Sequence, residues 1–199
     1  MISHQHRCFF FHPIKCGGST IESLLGFPGK KMREYENNYE FRHTRARHMK
    51  KKHPEEFDSY FKFGATRNPW ERLVSRYFSF QKKNSDGTYD VDKYEAKEIR
   101  KHRTFKEAIM ESSLLDEIKP TIDDFTVDGE DVTDYIIRME NFTEGVREVM
   151  SILKVPLKEV PKINFSEHGP YQNYYDAELE ETVYEHLKKD IIYFGYKFG

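Results

Sequence analysis

The sequence has few cysteines and no long apolar run, and each shortage excludes a class of protein. Cys8 and Cys16 are the two cysteines among 199 residues, far fewer than a disulfide-rich secreted domain needs. The near-extended chain between them spans roughly 25 Å, too far for one disulfide, so we expect a reducing compartment. No apolar run approaches the ~20 residues that cross a membrane, and the N-terminal "MISHQHR" does not resemble a signal peptide. A cytoplasmic protein without a membrane span is therefore expected.

Net charge is also small, −2, so no bulk electrostatic attraction to nucleic acid or membranes is expected. The charges are nevertheless unevenly distributed. Residues 42–53, "RHTRARHMKKKH", hold six Lys or Arg, three His and no acid, whereas residues 111–134 hold nine acids and one base. A solvated face is the simpler interpretation of the acidic run. The basic run has two interpretations, a solvated helix face or a surface that binds an anionic ligand.

The hydrophobic pattern predicts an α/β fold in a single domain over residues 1–199. Strands are predicted at 7–12, 60–66 and 134–139, and helices at 19–25, 43–52, 104–114, 141–154 and 176–189. A further helix begins at Pro69, because Asn68 is a good N-cap and Glu71 completes a capping-box-like pattern. Strands that alternate with helices predict a three-layer, P-loop-like domain with a central, mostly parallel sheet flanked by helices. Such sheets bind ligands beyond the carboxyl ends of their strands.

The first strand runs into "HPIKCGGST", which has the composition of an anion-binding turn. Gly17 and Gly18 allow the backbone to approach a ligand, and the free N–H groups at the following helix start favour negative charge. Lys15 adds a mobile cation, and Ser19 and Thr20 add hydroxyl donors. The segment is not a Walker A loop, in which the lysine follows the glycines. A purely structural role, in which the glycines only pack helix against strand, is the alternative.

A second set of phosphate donors follows the second strand in "RNPWERLVSRY". Arg67 stands at the strand end, where a guanidinium can bind a phosphate in fork geometry. Ser75 lies two turns into the helix, flanked by Arg72 and Arg76. Two strand ends that each carry phosphate donors predict a ligand with phosphates at two ends.

These two segments resemble the motifs of the sulfotransferases that use 3′-phosphoadenosine 5′-phosphosulfate (PAPS), specifically the small bacterial branch related to carbohydrate 2-O-sulfotransferases. The first family motif usually reads I-P-K-T-G-G-[ST]-[ST], and the second contains R-N-P-[WY]-[DE]-R-[LA]-x-S-x-Y, which "RNPWERLVSRY" matches throughout. The resemblance extends to "VPKINFSEHGPYQNYYD" at 160–176 and "DIIYFGYKF" near the end of the chain. Two departures occur: Pro13-Ile14-Lys15 replaces I-P-K, and Cys16 replaces the common threonine, which leaves that position only a backbone N–H for the ligand.

The resemblance implies sulfuryl transfer from PAPS to an acceptor hydroxyl, with 3′-phosphoadenosine 5′-phosphate (PAP) as product and no required metal. It assigns the 5′-phosphosulfate to the first motif and the 3′-phosphate to the second, and it makes the segment 161–171 a loop that closes over the nucleotide. The implied cofactor-binding residues are Lys15, Cys16, Gly17, Gly18, Ser19, Thr20, Arg67, Ser75, Asn164, Ser166 and Tyr171.

The general base is expected to be a histidine, because a neutral imidazole suits proton removal near pH 7. The family has a histidine at the head of an H-x-[TS]-A-type segment, a position that His43 occupies in "HTRARHMK". His48 is the second candidate, and His12 could lie near the glycine turn or simply pack at the strand end. Lys15 is expected to stabilise the leaving oxygen, so His43 and Lys15 form the predicted catalytic pair.

The acceptor is expected to be a carbohydrate or small metabolite, an anionic glycan among the candidates. Arg42, Arg45, Arg47 and Lys50 are the predicted acceptor-binding residues, with a solvated helix face as the alternative. Two other functions stay open on the sequence: a kinase-like phosphotransferase, and a non-catalytic module that binds PAPS or PAP. The lysine order and the lack of an evident magnesium-binding acidic pair argue against the kinase.

Overall fold

The computed structural model describes residues 1–27, 43–91, 93–161, 163 and 166–199. Its internal contacts divide the chain into two units, each built from two segments. Unit 1 comprises Met1–Arg67 and Thr121–Asn164, and unit 2 comprises Asn68–Pro120 and Phe165–Gly199. The expectation of a single domain over 1–199 stays a prediction.

The described strands all belong to unit 1. They are β1 (Ile2–Ser3), β2 (Cys8–Phe11), β3 (Phe61–Thr66), β4 (Thr126–Val127), β5 (Glu130–Asp131) and β6 (Tyr135–Arg138). Four of them form a sheet in the order β1-β2-β3-β6, in which β1 is antiparallel to β2 and the other pairs are parallel. The strands β4 and β5 form a separate antiparallel pair. The prediction of a mixed α/β fold with a mostly parallel sheet is therefore confirmed.

The described helices are α1 (Gly18–Leu24), α2 (Ala46–Lys52), α3 (Pro54–Ser59), α4 (Pro69–Gln81), α5 (Tyr94–Ile99), α6 (Phe105–Glu111), α7 (Ile122–Phe125), α8 (Phe142–Ile152) and α9 (Ala177–Phe194). Two short 3₁₀ helices cover Met139–Asn141 and Tyr171–Tyr174. The sequence missed α3, α5 and α7, each of six residues or fewer, because so short a segment shows too little periodicity. Among the described residues, no helix combines the length and the apolar character needed to cross a membrane.

Helices cover both faces of the sheet. Successive side chains of β2 point to opposite faces, so this strand contacts both helical layers. Phe10 faces a core that includes Phe63, Ile137 and the apolar side of α8. Phe9 and Phe11 face the other way, where both contact the ring of Phe57 in α3 with centroids 5.4 and 6.4 Å away. A strand buried on both faces needs apolar residues at every position, which explains the run "CFFF".

Unit 2 is helical, and its core is the apolar stripe of α4. Asn68 caps this helix as predicted, with its side chain accepting from the N–H groups of Trp70 and Glu71. Trp70, Leu73, Val74 and Tyr77 follow helical spacing in the sequence and form a buried stripe. The indole N–H of Trp70 donates to the Glu180 carbonyl in α9 at 3.1 Å, so the two helices are joined by a polar bond as well as by apolar packing.

A buried ion pair also joins α4 to α9. Arg72 Nη1 lies 3.8 Å from Asp190 Oδ2, and only 3% and 0% of the two side chains are exposed. Arg72 donates as well to the Lys119 carbonyl at 2.8 Å. A buried charge needs partners of this kind because its desolvation costs several kcal/mol.

Removing one partner of this pair should destabilise the fold strongly. We expect Asp190→Ala to lower the free energy of unfolding by about 3–5 kcal/mol, because the Arg72 guanidinium stays buried without its counter-charge. The double variant Arg72→Met/Asp190→Leu should recover much of that loss, since it removes both charges. Urea unfolding monitored by circular dichroism measures each value. The exposed pair Lys188–Glu185 on the same helix provides the control, and Lys188→Ala should change little. A loss for Asp190→Ala as small as that control would show that the pair is unimportant.

Candidate functional site

The segment between β2 and α1 makes a sharp turn at two positions of left-handed backbone. Lys15 has φ 66° and Gly17 has φ 72°, and α1 begins immediately afterwards at Gly18. A left-handed conformation costs a non-glycine residue about 1 kcal/mol or more. The folded chain around Lys15 therefore has to keep its backbone in this conformation. Lys15 thus lies beyond the carboxyl end of β2, where parallel sheets bind ligands.

Both glycines of the turn are required by packing. A Cβ on Gly17 would lie 2.4 Å from the ring of Phe142, and a Cβ on Gly18 would lie 1.5 Å from Nε2 of His12. The glycines therefore do pack the helix against the strand, as the structural interpretation of the sequence expected. This packing does not exclude ligand binding, because these contacts concern the Cβ positions of the glycines and not their backbone N–H groups.

Several groups of the turn that were predicted to donate hydrogen bonds to a ligand already have partners within unit 1. The Thr20 hydroxyl donates to the Pro161 carbonyl at 3.1 Å, and the Thr20 N–H donates to the Gly17 carbonyl at 3.1 Å. The Cys16 side chain is fully buried in the core, with Sγ 3.6 Å from the Ile14 carbonyl. Its backbone N–H donates to the Pro13 carbonyl at 3.4 Å, so this donor has a partner within the turn as well. Both cysteines are free, as the sequence predicted.

Arg67 lies directly after β3 and beside the turn. Its Nη1 is 3.5 Å from the Lys15 carbonyl oxygen, although 52 residues separate the two in sequence. The parallel pairing of β2 with β3 explains this proximity, since it brings the carboxyl ends of both strands to one edge of the sheet. The Arg67 guanidinium thus lies beside the backbone of the turn that carries Lys15.

In unit 2, the structure brings together two residues that the resemblance assigns to the nucleotide. Ser75 Oγ and Ser166 Oγ are 2.8 Å apart, and the Ser166 hydroxyl also lies 3.3 Å from the Ser75 carbonyl. Both residues are buried, at 1% and 8% exposure. Each hydroxyl has one O–H, so both serines would have to exchange their present partners in order to donate to a phosphate.

Tyr171 has a structural partner set of its own in unit 2. Its hydroxyl accepts from Asn68 Nδ2 at 3.3 Å and from the Gly199 N–H at 3.1 Å. Burial, and to a lesser extent the neighbouring Tyr171, raise the pKa of Tyr175 well above its usual value, which keeps that hydroxyl protonated as it donates to the Trp70 carbonyl. The predicted nucleotide ligand Asn164 lies outside the described residues.

The two arginines that flank Ser75 are engaged in ion pairs within unit 2. Arg72 pairs with Asp190, and Arg76 pairs with Glu117 while its guanidinium stacks on Phe80 at 4.1 Å. The idea that they supply phosphate donors beside Ser75 is therefore not supported. The acidic residue Glu117 belongs to the run interpreted as a solvated face, and its pairing could not be inferred from local sequence.

His43 lies within reach of the strand end that leads into the turn. Its Nδ1 is 2.7 Å from the His12 carbonyl oxygen, and the rings of His43 and His12 are 4.6 Å apart. His43 has φ 55°, a left-handed conformation that costs about 1–3 kcal/mol for such a residue and is often found at functional sites. The runner-up His48 is exposed on α2.

A buried pair that the sequence did not reveal supports this histidine. His12 Nδ1 lies 3.1 Å from Oε1 of Glu22, and the two side chains are 7% and 0% exposed. Glu22 lies on α1, and a glutamate in a helix is expected from the sequence to be exposed on the helix surface. The position of Glu22 in the helix could have indicated its burial. It lies one turn after Gly18 and next to Ile21, on the side of α1 that packs on the sheet.

The predicted acceptor-binding residues divide into three groups. Arg45 forms an ion pair with Asp124, with Nε and Oδ1 3.2 Å apart. Arg47 and Lys50 are exposed on α2, whose apolar side is Ala46 and Met49 as predicted. Arg42 lies outside the described residues.

The fit of His12 against Gly18 can be tested directly. We expect Gly18→Ala to lower the free energy of unfolding by about 1–3 kcal/mol, because the added methyl group overlaps a fixed imidazole ring. Gly169→Ala is the matched control, since a Cβ there would meet only ordinary contacts, the nearest being the Tyr174 hydroxyl at 3.7 Å. Urea unfolding of the two variants compares them. Equal stabilities would mean that the turn has room for a side chain.

The comparisons with known proteins bear on the family of the whole chain. The family model described as "Sulfotransferase family" matches residues 1–197 of the chain. No curated protein and no solved structure matches it. Because the family model covers nearly the whole chain, from the first strand to the final "GYK", the protein belongs to the sulfotransferase family.

Proposed function

We propose that the protein transfers the sulfuryl group of PAPS to a hydroxyl of a carbohydrate or small metabolite. Family membership supports sulfuryl transfer in general. The observation that carries the choice of donor is the position of Arg67 beside the Lys15 turn, at the carboxyl ends of two adjacent parallel strands. This arrangement collects positive charge where α/β sheets bind phosphorylated ligands, and it favours the P-loop-like arrangement expected from the sequence.

In this proposal the nucleotide is recognised at both of its phosphorylated ends. The backbone from Cys16 to Thr20, with Lys15 and the Ser19 hydroxyl, binds the 5′-phosphosulfate. Arg67 and Ser75 bind the 3′-phosphate on the basis of the second motif. The pairing of Ser75 with Ser166 supports a shared role for these two hydroxyls. Asn164 and Tyr171 keep their proposed places in the segment that closes over the nucleotide.

The Thr20 hydroxyl has to exchange its hydrogen-bond partner in order to bind the nucleotide. Its hydroxyl is bonded to the Pro161 carbonyl, at the start of the proposed closing segment. A ligand that took this donor would break that bond, so Thr20 would couple nucleotide binding to the position of the segment. Without such an exchange, its contribution is limited to shaping the turn.

The chemical step proposed is an in-line transfer with His43 as the general base. The acceptor hydroxyl loses its proton to His43 as its oxygen bonds to sulfur, and the bond between sulfur and the bridging phosphate oxygen breaks. Negative charge then develops on that oxygen, where Lys15 stabilises it, and PAP leaves. Each of the steps uses side chains of this chain and requires no metal.

The acceptor surface is proposed to lie on α2 beside His43. Arg47 and Lys50 are exposed there and are suited to an anionic glycan, whereas Arg45 is already neutralised by Asp124. A binding module without catalysis is the second function, and it is favoured if the wild type binds PAP but transfers sulfate to no acceptor. The kinase-like function has no supporting observation in the described residues.

The nucleotide assignment predicts a strong preference for PAP over 5′-AMP. A charge-assisted hydrogen bond contributes ~1.5–3 kcal/mol, so Arg67→Ala should weaken PAP binding roughly 10- to 150-fold. Binding of 5′-AMP should change little, because it has no 3′-phosphate. Isothermal titration calorimetry measures both ligands. Arg147→Ala, an exposed arginine on α8, is the control and should bind PAP like the wild type. Equal affinities of the wild type for the two nucleotides would contradict the assignment.

The catalytic assignment predicts different effects for the two proposed catalytic residues. His43→Ala should lower kcat by ~10²–10⁴ with PAP affinity nearly unchanged, because the imidazole acts on the acceptor. Lys15→Ala should lower kcat by ~10²–10³ and also weaken nucleotide binding, since its ammonium contacts the phosphosulfate before transfer. Transfer of radiolabelled sulfate from PAPS to a panel of glycans and small alcohols measures turnover.

Two outcomes separate the proposed functions. Full turnover by His43→Ala would transfer the role of base to another group, with His48→Ala tested next. A wild-type protein that binds PAP but transfers sulfate to no acceptor would favour the binding module. His102→Ala, a histidine on the helical unit, is the control for general effects of losing an imidazole.

A further inference from the structure

His12 has a backbone carbonyl and an imidazole that both contact His43. Its carbonyl oxygen lies 2.7 Å from Nδ1 of His43, and the two ring centroids are 4.6 Å apart at an interplanar angle of 38°. His12 directly follows β2, so its backbone is an extension of the sheet. This double contact connects the proposed base to the end of the sheet.

The imidazole of His12 is itself fixed on three sides. It stacks on Phe10 with centroids 5.4 Å apart and an angle of 15°, and its Nδ1 bonds to the buried Glu22. On the third side it packs so closely against Gly18 that no side chain fits there. The same ring therefore touches the turn proposed to bind phosphosulfate and the histidine proposed to act as base.

The contact with the carbonyl determines which nitrogen of His43 carries the proton. A carbonyl oxygen only accepts hydrogen bonds, so His43 must donate to it from Nδ1. A neutral imidazole has one N–H, and Nε2 of neutral His43 then has a lone pair. This is the nitrogen that can accept a proton. A histidine free in solution favours the opposite tautomer, with the proton on Nε2, so the His12 carbonyl selects the less common form.

We propose that His12 is a positioning residue that sets the tautomer and orientation of His43, and that Glu22 holds His12 in place. The inference rests on the proposed function, in which His43 is the base. Glu22 contributes by accepting from Nδ1 of His12, which stops the ring from rotating between Phe10 and Gly18. With the ring fixed, the carbonyl and the ring of His12 both stay in contact with His43. Neither His12 nor Glu22 takes the acceptor proton.

The tautomer can be measured without any acceptor. Long-range ¹H–¹⁵N correlation spectra of protein labelled with ¹⁵N-histidine, recorded at a pH where His43 is neutral, distinguish a protonated from an unprotonated ring nitrogen. The His43 signals are assigned by their loss in His43→Gln. We expect a protonated Nδ1 and an unprotonated Nε2 at His43, whereas the exposed His48 should show the common Nε2–H form. A protonated Nε2 at neutral His43 would overturn the inference.

Two variants test the role of the His12–Glu22 pair. Glu22→Gln keeps an acceptor oxygen for His12 Nδ1 and should keep both the Nδ1–H tautomer and the transfer rate near wild type. The double variant His12→Phe/Glu22→Leu keeps an aromatic ring at position 12 but removes the polar anchor. We expect it to shift His43 toward the Nε2–H tautomer and to lower kcat roughly 10- to 100-fold, with PAP affinity nearly unchanged. An unchanged tautomer and kcat in the double variant would overturn the inference.

The two measurements fail separately. Should the wild type transfer no sulfate, the base role of His43 is lost with the proposed function, and the spectra still decide whether His12 and Glu22 set the tautomer. Should transfer be normal and the tautomer wrong, the proposed function stands and the positioning role does not. If the double variant does not fold, the wild-type spectrum and the Glu22→Gln variant carry the decision.

Discussion

The parallel pairing of β2 with β3 is the constraint on which the proposed site in unit 1 depends. Parallel strands place their carboxyl ends at the same edge, and here each strand continues directly into a segment with cationic residues. Lys15 follows one strand and Arg67 the other, and they become neighbours although far apart in sequence. A change of register between these strands would separate these two residues.

Buried charge pairs organise both units, and they give some predicted ligand residues a structural role. Arg72 lies within a motif that is rich in phosphate donors, yet its guanidinium is sequestered by Asp190 and a backbone carbonyl. Glu22, in contrast, belongs to no motif identified in the sequence and lies fully buried against His12. The desolvation cost of a charge means that each of these residues needs its partner, so each partner limits what else the residue can bind.

The glycine turn shows how one local feature can satisfy two requirements. Gly17 has a left-handed backbone, and Gly18 has no room for a side chain because the His12 ring occupies that space. These requirements come from folding alone. In the proposed function, the same turn would also bring its backbone close to the phosphosulfate. Folding alone already explains both glycines, which is why the sequence pattern pointed to two interpretations.

The sequence by itself determined the elements whose causes are local. Consecutive apolar residues identified β2, the Asn68–Pro69 cap identified the start of α4, and the stripe from Trp70 to Tyr77 identified its buried face. The two motifs also identified the family and the main nucleotide-binding candidates. Only the tertiary structure decided which charged groups pair with one another: Arg45 with Asp124, Arg76 with Glu117, and His12 with Glu22 beneath His43. The physical reason is that helix caps and hydrophobic periodicity act between residues a few positions apart, whereas the partner of a charge depends on which side chains the folded chain brings within about 4 Å.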